Sequence, residues 1–198
     1  MISVVGIGPG DANFLTTEAT GVLKIADTVF GSERQLQEIS NITTATKQLL
    51  PKKLAELKTV PHEGKEIVIL ASGDPLLYGI GNWVLRHFTS EVRIVPGISS
   101  IQMMFHKMKL PMNDCFITSS HGKTPDFDFL LQHSKVAMVT DSLIGPYEIA
   151  QEILKRGLQK IIYIGENLST TEERIHQLAP NKVAKKYDMN VVVIVDER

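Results

Sequence analysis

Cysteine is almost missing from this chain. Cys115 is alone among 198 residues, which excludes an internal disulfide and a cysteine-rich zinc site. A surplus of one charge is missing too. The 21 Lys and Arg face 22 Asp and Glu, for a formal charge of −1. No basic field is there to attract nucleic acid or an anionic membrane, and neither partner is expected. Long apolar runs are absent: none nears the roughly 18 residues that a membrane helix needs. The first residues lack a basic stretch followed by an apolar one, so no signal peptide is expected. Six histidines, at 62, 87, 106, 121, 133 and 176, are scattered without ligand-like spacing, so no metal of the protein's own is expected. What remains is ordinary: 43% hydrophobic and 22% charged residues, enough chain for one large or two small domains. The composition fits a soluble cytoplasmic protein that handles a small molecule.

Apolar runs of strand length alternate with segments of helical spacing, which argues for an α/β fold. The strands are expected at ISVVGIG, TVFG, EIVILAS and EVRIVPG, then CFITSS, KVAMVTD, KIIYIGE and NVVVIVD. Helices are expected at TTEATGVLKIA, starting near Leu15 or Thr16, and at SERQLQEI, with Ser32 as N-cap. Further helices are expected at LLYGIGNWVLRHF, loosened by Gly79 and Gly81, and at SSIQMMFHKM, capped by Ser99 or Ser100. PDFDFLLQH, IGPYEIAQEILKRG and TTEERIHQL also read as helices. The pattern breaks at KLPMNDC, where Pro111 and Asn113 fall. Two α/β domains with parallel or mixed sheets are expected, 1–111 and 112–198.

Glycine loops follow three of the strands. GIGPGD has its third glycine one residue too early for a dinucleotide fingerprint, and Asp11 stands where that glycine belongs. Pro9 has no N–H to offer a phosphate, and Asp11 would repel one. No G-K-[ST] follows, so this is not a P-loop. A tight turn without a ligand remains open for this loop. In ASGDPLLYGIG, Gly73 permits close backbone approach and Asp74 puts a carboxylate at a strand end, suited to an ammonium or sulfonium. Helix capping is an equally good use of Asp74. PGISS offers Ser99 and Ser100, which also suit a cap. Ligands of open α/β sheets bind beyond the carboxyl ends of strands. Together, one carboxylate, hydroxyls and backbone groups without a phosphate clamp point to a nucleoside with a cationic tail, and S-adenosylmethionine is such a molecule.

VGIGPGD, SGDPLLYGIG and PGISS, in that order and spacing, resemble the tetrapyrrole methylases, and the resemblance runs the length of the chain. FGSERQL (30–36), SSHGK (119–123), MVTDS (138–142) and IGENLSTTEERI (164–175) place it, within that family, near enzymes that methylate carbon 5 of a corrin-ring precursor. The resemblance implies two α/β domains with S-adenosylmethionine in the cleft between them, a tetrapyrrole substrate that brings any cobalt with it, and a homodimer. It gives Gly8, Pro9, Gly73, Asp74, Leu77, Ser99 and Ser100 to the cofactor, with Thr140 and Leu168 near its adenine. A base that removes a proton after methylation is sought in His121 first and Tyr78 second. A solvated loop histidine and a packing tyrosine are the ordinary alternatives. Arg34 and Lys123 are candidates for the substrate's carboxylates, against the alternative of plain surface charges. Methylation of another tetrapyrrole carbon, or a non-catalytic tetrapyrrole or nucleotide sensor, stays open as an alternative function.

Overall fold

The computed structural model describes residues 1–61, 63–89 and 91–197. The chain forms two compact units, Met1–Ser99 and Ser100–Arg198. The expected boundary lay after Pro111; the helix before it goes instead with the second unit. His62 lies outside the described residues.

The first unit is a parallel sheet in the order β3-β2-β4-β1-β5. Its strands are β1 (Ile2–Gly6), β2 (Thr28–Gly31), β3 (Thr46–Leu49), β4 (Ile67–Ala71) and β5 (Val92–Val95). Side chains alternate between faces along a strand. Val5, Val68 and Leu70 join α1 (Thr17–Ile25) in one cluster with Ala19, Val22 and Leu23. Val4, Ile67, Ile69 and Ala71 join Val84 of α3 (Gly81–His87) in the other. Both faces of β1 and β4 are thus covered, which is why they read as unbroken apolar runs.

Capping sets the helix starts. Thr16 accepts the Ala19 N–H to open α1. Ser32 and Gln35 form a reciprocal capping box at α2 (Glu33–Glu38). The helix expected from Leu76 starts only at Gly81. Residues 75–80 form turns, with Tyr78 at φ 54°. A Cβ on Gly79 or Gly81 would lie 2.6 Å from the Pro75 carbonyl oxygen, so glycine alone lets the chain double back there. The edge strand β3 was not expected: TKQL is exposed throughout and carries no apolar alternation.

The second unit is a mixed sheet, β6-β7-β10-β8-β9. The strands are β6 (Phe116–Ser119), β7 (Lys135–Val139), β8 (Lys160–Glu166), β9 (Arg174–Leu178) and β10 (Asn190–Asp196). β6 runs parallel to β7; the other pairs are antiparallel. α4 (Ser100–Met108) packs on β7 and β10. The short α5 (Phe127–Leu130) and amphipathic α6 (Pro146–Lys155) bury Phe127, Leu130, Ile149 and Ile153 in its core. TTEERIHQL was expected to be a helix and is instead a turn followed by β9. Asn167 (φ 47°) and Ser169 (φ 65°) reverse the chain, and the returning strand pairs with β8 from Glu166↔Arg174 to Ile162↔Leu178. Pairing to an open sheet edge overrides the helical composition.

Candidate active site

The strand ends of the first unit meet through backbone. Ile7 N–H donates to the Ala71 carbonyl (3.0 Å), Gly73 N–H to Gly8 (2.8 Å), and Gly8 N–H to Gly73 (3.4 Å). Gly8 (φ 78°) and Gly73 (φ 64°) occupy the left-handed region that makes this crossing possible. Gly97 completes the corner. A Cβ there would stand 2.2 Å from the Gly73 carbonyl oxygen, and one on Gly6 2.6 Å from the Gly97 nitrogen. The loops after β1, β4 and β5 therefore touch with no side chain between them.

Asp74 fastens the corner. Its Oδ1 accepts from the N–H of Leu76 (2.8 Å) and Leu77 (3.2 Å), and its Oδ2 from Gly97 N–H (3.4 Å). A carboxylate has about four lone-pair sites, so one is still open to a ligand on this half-buried residue. Asp11 caps the short turn Ala12–Phe14 by accepting from Asn13 N–H (2.8 Å). Pro9 is buried beside Gly8, Leu77 is half-buried, and Tyr78 is exposed. Ser99 is buried at the end of the β5 loop, and Ser100 opens α4 of the second unit.

Arg34 stands on α2 with Nη1 on Glu38 and Nη2 3.0 Å from Ser72 Oγ. Gln35 Nε2 reaches the same oxygen at 2.9 Å, while its Oε1 accepts Ser32 N–H at 2.8 Å. Burial raises the Glu38 carboxyl pKa, and the Arg34 charge works against that rise. Arg34 is thus bonded to the residue next to Gly73 rather than lying loose on the surface. Gln35, Ser72 and Gly97 escape a reading of the sequence because each acts through a partner far along the chain. Only the spacing Ser32-x-x-Gln35 carried a signal, that of a capping box.

In the second unit, side chains join the strand ends. Asp141 accepts from Leu143 and Ile144 N–H (2.9 Å each) and from Gly122 N–H (3.2 Å). These backbone donors hold its carboxyl below the usual range. Ser120 Oγ donates to Ile144 O (2.9 Å) and accepts Asp141 N–H (3.2 Å). His121 and Lys123 lie exposed on this loop. Ser119 Oγ accepts His121 N–H and lies 3.0 Å from His121 Nδ1. With Nδ1–H donating to Ser119 Oγ, the neutral ring keeps its lone pair on Nε2. Thr140 Oγ1 donates to Asn190 Oδ1 (2.9 Å), and Asn167, next to buried Leu168, donates to Met189 O (2.9 Å). Thr140 and Leu168 therefore share one end of the second sheet. Among the described residues, no group of three or more His, Cys, Asp or Glu could hold a metal, and no helix is long and apolar enough to cross a membrane.

A doubly covered parallel sheet with a glycine corner at the carboxyl ends of its strands is the architecture of α/β proteins that bind ligands at that edge. Residues 1–179 match the family described as Tetrapyrrole (Corrin/Porphyrin) Methylases. The cobalt-precorrin-7 C(5)-methyltransferase of Salmonella typhimurium is 43% identical over the whole of both chains. In fold, the chain resembles the precorrin-6Y methylase of cobalamin biosynthesis from Archaeoglobus fulgidus, with a TM-score of 0.78 and 24% identity, covering 100% of this chain and 99% of that one. It also resembles the uroporphyrin-III C-methyltransferase of Thermus thermophilus complexed with S-adenosylhomocysteine, with a TM-score of 0.79 and 24% identity over 98% and 96% of the two chains. The chain belongs to the tetrapyrrole methylases.

Proposed function

We propose that this protein transfers a methyl group from S-adenosylmethionine to carbon 5 of the corrin precursor cobalt-precorrin-7, a step of cobalamin biosynthesis. The observation that carries the reading is the 43% identity, end to end, with the Salmonella enzyme named for that reaction. The residues present suit the donor. Asp74 has a lone-pair site left for a cationic partner. Pro9 withholds the N–H that a phosphate would need, and the Asp11 carboxylate is already committed to Asn13.

S-adenosylmethionine supplies a methyl group already activated by its sulfonium, so the chain's main task is placement. Holding reacting atoms at about 3–3.5 Å removes much of the barrier. The glycine corner is made for that task, because backbone packed on backbone has little freedom to shift. Gly8, Pro9, Gly73, Asp74, Leu77, Ser99 and Ser100 hold the donor in this reading. Thr140 and Leu168 keep the roles that the resemblance gives them, and Arg34 and Lys123 serve the acceptor's carboxylates. His121 takes the proton that the methylated carbon must shed on Nε2, the nitrogen left with a lone pair when Nδ1–H donates to Ser119, with Tyr78 the second candidate. The same reading makes the protein a cytoplasmic homodimer.

The test is label transfer from methyl-labelled S-adenosylmethionine to cobalt-precorrin-7, beside calorimetric titration with S-adenosylhomocysteine and with NADH. Transfer to carbon 5 and binding of the thioether alone are expected. Transfer to another carbon would reassign the substrate position; thioether binding without transfer would make the protein a sensor; NADH binding alone would overturn the methylase reading. His121→Ala is expected to slow turnover and leave thioether affinity near wild type.

A further inference from the structure

We infer that Ser72, backed by Arg34 and Gln35, is a carboxylate-binding corner next to the donor loop. The inference rests on the methyltransferase reading above and names a ligand group for it.

The argument starts from buried Gln35. Its Oε1 is committed to Ser32 N–H, which fixes which way the amide faces and aims Nε2 at Ser72 Oγ, 2.9 Å away. Arg34 Nη2 points at the same oxygen from 3.0 Å. A hydroxyl accepts two hydrogen bonds and donates one. Both acceptor positions of Ser72 are filled, so the hydroxyl is left as a donor. One of its two partners is a cation, which makes that donor stronger. Ser72 is exposed, so its O–H faces a ligand or water.

The surroundings set the ligand's charge. A guanidinium and a polarised O–H suit a carboxylate. Glu38 holds Arg34 Nη1 and neutralises part of its charge, and Nη2 is turned to Ser72. The Asp74 carboxylate, two residues on, is already engaged by three backbone N–H groups. Two sources of carboxylate fit: the α-carboxylate of the methyl donor, and an acidic arm of the tetrapyrrole acceptor. Ser72 directly precedes Gly73, so either is within reach of a methyl group held at the glycine corner.

The experiment compares wild type, Ser72→Ala and Ser72→Thr. Thermal melting confirms the fold of each. Affinity is measured for S-adenosylhomocysteine and for 5′-methylthioadenosine, which lacks the carboxylate, and KM is measured for cobalt-precorrin-7. A hydrogen bond to a charged group is worth roughly a tenfold change or more in affinity. If the acceptor's arm is the ligand, Ser72→Ala raises KM by about tenfold, leaves S-adenosylhomocysteine binding unchanged, and Thr restores KM. If the donor's carboxylate is the ligand, S-adenosylhomocysteine binding weakens by that factor and methylthioadenosine binding does not. Equal weakening of both nucleosides overturns the inference in favour of a general role in loop shape, as does a variant in which nothing changes. A wild-type protein that binds neither nucleoside would instead defeat the methyltransferase reading itself.

Discussion

The strand ends of the first unit are joined by what glycine leaves out, and those of the second by what side chains add. Gly6, Gly73 and Gly97 bring three loops into backbone contact. At the corresponding level of the second sheet, Ser120, Asp141, Asn190 and Glu166 do the joining with hydroxyls, an amide and carboxylates. A corner packed backbone on backbone is rigid and intolerant of any added atom, with the Asp74 carboxylate as an added tie. A corner made of polar side chains is adjustable, titrates with pH and survives single losses. The contrast suits the proposed division between a unit that would fix the methyl donor and one whose loops carry His121 and Lys123.

The largest effect expected is that of Gly97→Ala. The new methyl group would sit 2.2 Å from the Gly73 carbonyl oxygen, which is main chain and cannot swing aside. A destabilisation of about 3 kcal/mol or more and loss of S-adenosylhomocysteine binding are expected, read by denaturant melts and calorimetry. Gly122→Ala, at φ 68° but with nothing within 4 Å of the added carbon, is the matched control in the second unit. If the two variants lose similar stability, close approach is not what distinguishes the first corner. Asp74→Ala comes next. It frees three backbone N–H groups and should cost about 1–2 kcal/mol, the usual worth of a cap, with weaker thioether binding beside it. Unchanged binding would leave Asp74 as a cap and no more.

Acid should separate the units. Glu166 is buried, which opposes its charge, yet Asp188 N–H, His176 and Arg174 hold its carboxyl below the usual range. Glu173 is also held low against burial, by Lys107 and Ser169 N–H. A lowered folded-state pKa gives stability that is present above the ordinary carboxyl value, near 4.5, and is lost as pH falls through the folded value. Burial raises Glu38 in the first unit. There the folded state holds its proton more tightly than the unfolded chain, so this group costs stability as pH rises past 4.5 and relieves it on acidification. The second unit should therefore open first below about pH 4. Trp83, the chain's one tryptophan, lies in α3 of the first unit. Its fluorescence transition should come at lower pH than the loss of amide protection in β8 and β10. Coincident transitions would show that the units unfold together.

The same contrast explains what could be read from the sequence. β1 and β4 are legible because burial on both faces leaves an apolar run, and Gly8, Gly73 and Asp74 because they follow such runs directly. β3 is not, since TKQL is an exposed edge. β9 misleads because its composition is helical while Asn167 and Ser169 turn the chain back onto β8. The role of Gly97 depends on a carbonyl 24 positions earlier in the chain, and no local pattern reports a contact of that kind. The Ser72–Gln35 bond is equally remote. Side-chain ties such as Asp141 to Gly122 are hidden for the same reason, although the Asp-Ser-Leu-Ile turn that Asp141 caps is local.

That tie yields the smallest effect, and the one that best probes the adjustable corner. Asp141 is exposed enough that water replaces much of what its carboxylate does, so Asp141→Ala should melt almost as wild type. Its removal does release Gly122 N–H, and with it the turn that follows Ser119 and His121. His121 Nδ1 keeps its contact with Ser119, but the loop that aims the ring loses its anchor in the turn after β7. Turnover should fall while S-adenosylhomocysteine affinity holds, and Asp141→Asn, which keeps an oxygen for Leu143 and Ile144, should recover part of the loss. A fall in thioether affinity equal to the fall in turnover would mean that the second corner is as rigidly bound to the donor as the first, and the division between a backbone-built and a side-chain-built corner would no longer describe how the protein works.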